Sequence, residues 1–202
     1  MKRRYFVVAA ALMVAGCSQL PFGGGDSGWT TLIDGTKGLE NFNRAGDANW
    51  RAEDGAIVAD NGKGGFLVSK SSYKDFQLRV EFWADHTANS GIYMRCADPA
   101  KITDKSCYEA NIFDQRPDQT YATGGIVHRG KVLQPVKAGG KWNVYDITAQ
   151  GPRMTVMLNG LKTAEFDKVD SPSGPIALQY GTLPNAARGG AIKFRKVQLR
   201  AL

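Results

Sequence analysis

The 202-residue chain carries a formal charge of +7, with 43% apolar and 22% charged residues. Lys2, Arg3 and Arg4 hold three of those seven charges, which leaves +4 on the rest, scattered among acids without a run of like sign. Such a surface is a poor match for nucleic acid, and no second long apolar run is present to cross a bilayer.

The first segment reads as a targeting peptide. A basic start, Lys2 to Arg4, precedes the apolar stretch Tyr5 to Val14, and small residues then lead to a cysteine in Val14-Ala15-Gly16-Cys17. Residues 1–16 thus resemble a bacterial lipoprotein signal peptide, with Cys17 lipidated as the mature N-terminus; the alternative is an ordinary signal peptide with an incidental cysteine. Several acyl chains on Cys17 would anchor the chain firmly, at roughly 0.8 kcal/mol per buried CH₂. Ser18 is not acidic, which by resemblance to other lipoproteins favours the outer membrane, on its periplasmic or its outer surface. Ser18 to Gly28 (SQLPFGGGDSG) has the composition of a flexible tether, so residues 17–28 join the anchor to one domain over residues 29–202.

No segment of that domain shows helical periodicity; short alternating segments separated by Gly, Asp, Asn and Pro recur instead. Ala56 to Asp60 and Gly65 to Ser69 read as a hairpin around Asn61-Gly62. Phe76 to Trp83 is the clearest strand, with Phe76, Leu78, Val80 and Phe82 on one face. Gly91 to Cys96 follows with Ile92 and Met94 inward. Cys107 to Phe113 then puts Tyr108, Ala110 and Ile112 on one face and Glu109 and Asn111 on the other. Later strands are expected at Gly125 to Arg129, Trp142 to Ala149, Arg153 to Leu158, Thr163 to Phe166, Pro175 to Tyr180 and Ala191 to Leu199, with Asn159-Gly160 a hairpin turn. Many short strands with regular turns imply an all-β sandwich or barrel. The polar loops Asp98 to Ser106 and Gln115 to Thr123 are where function would sit on it.

Cys96 and Cys107 form an even pair once Cys17 is assigned. In an oxidising compartment they read as a disulfide worth about 2–3 kcal/mol, against two free buried thiols. A metal site is disfavoured, because His86 and His128 lie far away in sequence and no CxxC spacing exists.

Trp83, Tyr93, Arg95, Glu109, Asn111 and Gln179 all fall on the second face of their strands. Aromatic rings, a carboxylate, amides and a guanidinium on one concave sheet suit a sugar, since rings stack on pyranose faces and polar groups pair with hydroxyls. Each also has a plain structural reading. Arg95 and Glu109 would make an ordinary cross-strand ion pair, Asp114 a turn, His128 a structural histidine, and Trp142 a core residue.

The ordered segments Gly28 to Gly35 (GWTTLIDG), Asn49 to Ile57 (NWRAEDGAI), Asp75 to Phe82, Asn89 to Arg95 (NSGIYMR), Tyr108 to Asp114 (YEANIFD), Lys141 to Asn143 and Val156 to Gly160 resemble the 3-keto-disaccharide hydrolase family. The resemblance runs from Trp29 to Leu202. It implies a concanavalin A-like jelly-roll sandwich of two antiparallel sheets, acting on glycosides oxidised at C3. The family's Tyr-Glu-x-Gln-x-x-Asp segment falls on Tyr108, Glu109, Asn111 and Asp114, with Asn111 in place of the glutamine, which keeps an amide but shortens its reach. Its Asn-Ser-Gly-Ile segment brings in Arg95.

A ketone at C3 acidifies the proton on C2, so a carboxylate can remove that proton while a cation stabilises the enolate. On this expectation Glu109 is the acid or base, Arg95 its electrostatic partner, and Asp114 or His128 the second proton carrier. Asn111, Trp83, Tyr93 and Gln179 bind the sugar. Two other readings stand beside it: a carbohydrate-binding module without catalysis, and a structural envelope lipoprotein. Calcium is open by analogy with related sandwiches, but no acidic cluster has the spacing of a calcium loop, and no cofactor is predicted.

Overall fold

The computed structural model describes residues 28–183 and 186–202. The leader, Cys17 and all of the tether but Gly28 lie outside the described residues. Thirteen strands follow in chain order: β1 (Thr30–Asp34), β2 (Phe42–Gly46), β3 (Arg51–Glu53), β4 (Ala56–Ala59), β5 (Gly65–Tyr73), β6 (Phe76–Ala84), β7 (Ser90–Met94), β8 (Tyr108–Ile112), β9 (Trp142–Gln150), β10 (Arg153–Leu158), β11 (Leu161–Phe166), β12 (Gly174–Tyr180) and β13 (Ile192–Ala201). They form two antiparallel sheets. One has eight strands in the order β11-β10-β9-β6-β13-β4-β3, with β1 also paired to β13, and the other has five in the order β2-β5-β12-β7-β8.

The core lies between the sheets. Phe76, Leu78, Val80 and Phe82 from β6 face it, and so do Ile92 and Met94 from β7 and Tyr108, Ala110 and Ile112 from β8. Alternation drives this arrangement. Each inward aliphatic or aromatic side chain contributes about 1.5–3 kcal/mol by leaving water, and Phe82→Ala would cost about 3–5 kcal/mol. The Asn159-Gly160 turn closes the β10–β11 hairpin with both residues at positive φ, as a type I′ turn requires.

Three sequence expectations change. Ala56–Ala59 and Gly65–Ser69 both form strands, but not a hairpin: β4 pairs with β3 and β13, whereas β5 pairs with β2 and β12 in the other sheet. The connection crosses between sheets and presses against backbone. A Cβ on Gly62 (φ 105°) would stand 2.3 Å from the Asp47 carbonyl oxygen. Residues 125–129 form a tight turn rather than a strand, because Arg129 and Gly130 N–H groups both donate to the Ile126 carbonyl. Trp142 does not fill the core; it is 36% exposed on the outer face of the eight-stranded sheet.

The two sheets differ in their second faces. Along β6, β9 and β10 buried residues alternate with more exposed ones, as expected of a sheet with one solvated face. Every residue of β7 and β8 is buried. Two loops cover that end of the five-stranded sheet: residues 95–107, closed by the Cys96–Cys107 disulfide, and residues 113–141.

Candidate functional site

Register on the five-stranded sheet sets the site. Tyr93 of β7 stands opposite Glu109 of β8, and Ala177 of β12 stands beside Tyr93. In the neighbouring row Phe66 of β5 faces Gln179 of β12. These side chains emerge away from the core because their sequence neighbours, Ile92, Met94, Tyr108, Ala110 and Leu178, face into it. The Gln179 amide donates to the Tyr93 hydroxyl at 3.0 Å, and the Phe66 ring meets Tyr93 edge-on at 5.2 Å.

Glu109 is 5% exposed and leans over the bare backbone of Gly91. A Cβ there would stand 2.4 Å from its Oε1, so glycine supplies the space for the carboxyl. Burial pushes the Glu109 carboxyl up to about 8; the Tyr93 hydroxyl opposes the rise, the charge of Asp104 adds to it, and Arg116 opposes it. Burial likewise pushes the Tyr93 phenol well up, helped by the charge of Glu109. At neutral pH Glu109 therefore holds its proton.

The covering loops bring further groups to the rim. His128 Nε2 lies 2.9 Å from Asp104 Oδ2, joining the second loop to the disulfide loop. His128 sits at φ 60°, a left-handed conformation that costs about 1–2 kcal/mol outside glycine and that recurs at functional sites. The Val127 N–H, one residue before it, donates to the Glu109 carbonyl. Arg116 Nε and Gln179 Oε1 are buried and without a hydrogen-bond partner among the described residues. Buried polar atoms are ordinarily satisfied, so these two have capacity for a bound molecule. Beside Phe66 a hollow of about 350 Å³, lined by Ala45, Gly46, Gly65, Lys101 and Ile102, opens along the same sheet. A larger cleft of about 440 Å³ at Asn49, Arg51, Asp60 and Arg188 lies elsewhere, and its principal groups bond one another through the Arg51–Asp60 and Asn49–Asp60 contacts.

The structure thus brings together Tyr93, Glu109, Gln179 and His128 from the expected set, and corrects the others. Arg95 is no partner of Glu109. It adopts φ 48°, and its side chain, 1% exposed, donates to the carbonyls of Lys74 and Gly151 and to the Asp75 carboxylate, at 2.7, 2.8 and 2.8 Å. Asp114 accepts from the Thr123 hydroxyl and from the Ala138 and Gly139 N–H groups, which takes three of about four acceptor positions of its carboxylate in clamping the loop. Asn111 shares the face of Glu109, but its amide donates to the Tyr121 carbonyl at 2.5 Å and the residue is 1% exposed. That bond holds the covering loop. Trp83 belongs to the other sheet, on its outer face beside Trp142 and Lys193. Asp104, Arg116, Phe66 and Gly91 were not singled out from the sequence. Asp104 and Arg116 fall in the two polar loops expected to carry function, but nothing in their spacing selects them.

The fold recurs in solved structures. A Parabacteroides distasonis protein to which a glycosyl hydrolase role is ascribed is 26% identical, with 86% of this chain and 99% of that chain covered and a TM-score of 0.65. A second protein of that organism, with the same ascription, is 18% identical over 87% and 94% of the two chains at a TM-score of 0.70. The carbohydrate-binding module CBM66 from Bacillus subtilis shares the fold at 15% identity, 86% and 96% coverage and a TM-score of 0.59. No curated protein matches the chain. The family model described as a 3-keto-alpha-glucoside-1,2-lyase-like domain matches residues 28–200, and the chain belongs to that family.

Proposed function

We propose that this chain cleaves glycosides oxidised at C3, in the cell envelope and anchored through Cys17. The observation that carries the reading is the buried Glu109 on the outer face of the five-stranded sheet, beside Tyr93 and Gln179 and under the loops that carry the His128–Asp104 pair; burial pushes its carboxyl up to about 8, which favours the protonated form.

The chemistry follows from the substrate. His128, oriented by Asp104, takes the proton from C2 of the 3-keto ring, and the electron pair moves toward the C3 oxygen as an enolate. The half-buried Arg116, whose Nε–H has no partner among the described residues, stabilises that oxygen in the role first expected of Arg95. Collapse of the enolate expels the C1 substituent, and Glu109 gives its proton to the departing glycosidic oxygen. The products are an enone sugar and an alcohol; addition of water to the enone completes net hydrolysis. Phe66 and Tyr93 supply aromatic surface for the ring, and Gln179 Oε1 accepts from a hydroxyl.

Glu109→Gln removes the transferable proton while keeping shape. Turnover of a 3-keto-glucoside, followed by chromatography of the products, is expected to fall at least about 100-fold with the circular dichroism spectrum unchanged. Wild-type turnover in that variant overturns the mechanism. Saturable binding of the 3-keto sugar by the wild-type chain with no product formed would leave a carbohydrate-binding role in its place.

A further inference from the structure

Three of the four tryptophans stand on the outer face of the eight-stranded sheet, opposite the site; the fourth, Trp50, is in the core. Trp83 and Trp142 face each other across β6 and β9, and Trp29 lies over the other end of the sheet. Each ring is covered by cations. Arg195 stands 4.3 Å from the Trp142 centroid and Lys193 5.4 Å from that of Trp83, while Arg79 and Arg200 flank Trp29 at 5.7 and 5.1 Å. A bulge between Phe194 and Lys196 adds a residue to β13, so that Arg195 and Lys196 both lie outside the core.

Cations outnumber carboxylates on this face. With β1 and β3 included, the outward positions of the sheet hold eight cations and five carboxylates; Glu53 is paired with Arg51, and Asp34 stands opposite Lys196 in register. The carboxylates Glu81, Asp146 and Glu165 are already paired with Arg195, Arg79 and Lys162. Lys193, Lys196 and Arg200 have no carboxylate partner among the described residues. The chain also enters the domain here: Gly28 lies against Arg200, and 27 residues precede it.

We infer that this face seats the domain on an anionic phospholipid surface. Tryptophan at headgroup depth and cations reaching phosphates are the composition of a membrane-interface patch. The tether emerges at its edge, which holds the patch beside whatever the N-terminal segment is attached to. A cation already stands over one face of the Trp83 and Trp142 rings and would compete with a stacked pyranose there. The Glu109 site, on the other sheet, then points away from the membrane into the aqueous phase.

Residues 18–202 contain the whole sandwich and its core, lack the leader and lipid, and test the face without an anchor. They are expected to sediment with vesicles of phosphatidylglycerol and phosphatidylethanolamine, to be released by salt, and to ignore pure phosphatidylcholine. Tryptophan emission is expected to shift to the blue on binding, with the shift reduced in Trp142→Phe. Replacing Lys193 and Arg195 together by Gln lowers the apparent affinity about tenfold or more. The charge-matched pair Lys70→Gln and Lys131→Gln, away from this face, leaves it unchanged. Equal loss in both pairs would reduce the effect to net charge and overturn the proposal. Failure to bind vesicles would also overturn it, and retention on polygalacturonate in that case would make the face a site for a soluble polyanion.

Discussion

Glu109 and Arg95 show how far a single residue's chemistry can be read from alternation. Period two placed Glu109 and Tyr93 on one face, and the structure keeps them there because Ala110 and Ile92 have the core to fill. Arg95, two residues after Tyr93, should share that face. The backbone turns left-handed at Arg95, and the guanidinium goes instead to the turns at Lys74–Asp75 and Gly151. A break in φ leaves no mark in a hydrophobic pattern, so alternation puts Arg95 on the wrong face, and Arg116, on an irregular loop, lies beyond what alternation can place. Arg95→Ala would leave the Lys74 and Gly151 carbonyls without their side-chain donor and the partly exposed Asp75 carboxylate with the Gly151 N–H alone, at a cost of about 2–4 kcal/mol. Denaturant unfolding should record that loss, and any folded fraction should turn over 3-keto-glucoside at the wild-type rate. A specific loss of turnover would return Arg95 to the reaction.

At the scale of elements, most strands were legible and most of the loop architecture was not. β6, β8, β10 and the Asn159-Gly160 hairpin follow from alternation and turn chemistry. β1, β2 and β3 did not register; β2 and β3 are short edge strands, and β1 pairs only with β13. The stretch 125–129 alternates well enough to look like a strand, yet it caps the open edge of β8 through single bonds such as Val127 N–H to the Glu109 carbonyl. The disulfide loop carries Asp104, and through it orients His128. Replacing both Cys96 and Cys107 by Ser should lower stability by about 2–3 kcal/mol, from the entropy regained by the unfolded chain. It should also lower kcat more than it raises KM, since Asp104 loses its fixed position while Phe66 and Gln179 do not. Thermal melts and steady-state kinetics of the double variant separate the two effects.

For the whole molecule, burying Glu109 ties stability to pH. Its folded pKa of about 8 lies above the ordinary value of 4.5, so the native state retains a proton that the unfolded chain releases between those limits. This group's penalty is absent below about pH 4.5, grows through neutrality and is complete above about pH 8. Glu109→Gln is therefore expected to melt close to wild type at pH 4 and above it at pH 9, with the difference developing in between. A constant difference across that range would place the carboxyl in water. A carboxyl held out of water on this sheet thus weakens the fold as pH rises, a cost met by the large core beneath it. That core has one further consequence. β13 is the last strand in chain order, yet it lies in the middle of its sheet, between β6 on one side and β4 and β1 on the other. Until β13 is laid in, β6-β9-β10-β11 and β3-β4 are two separate half-sheets with unzipped inner borders. Closure of the sheet thus waits on a strand more than a hundred residues away along the chain from the β6 and β4 borders it joins.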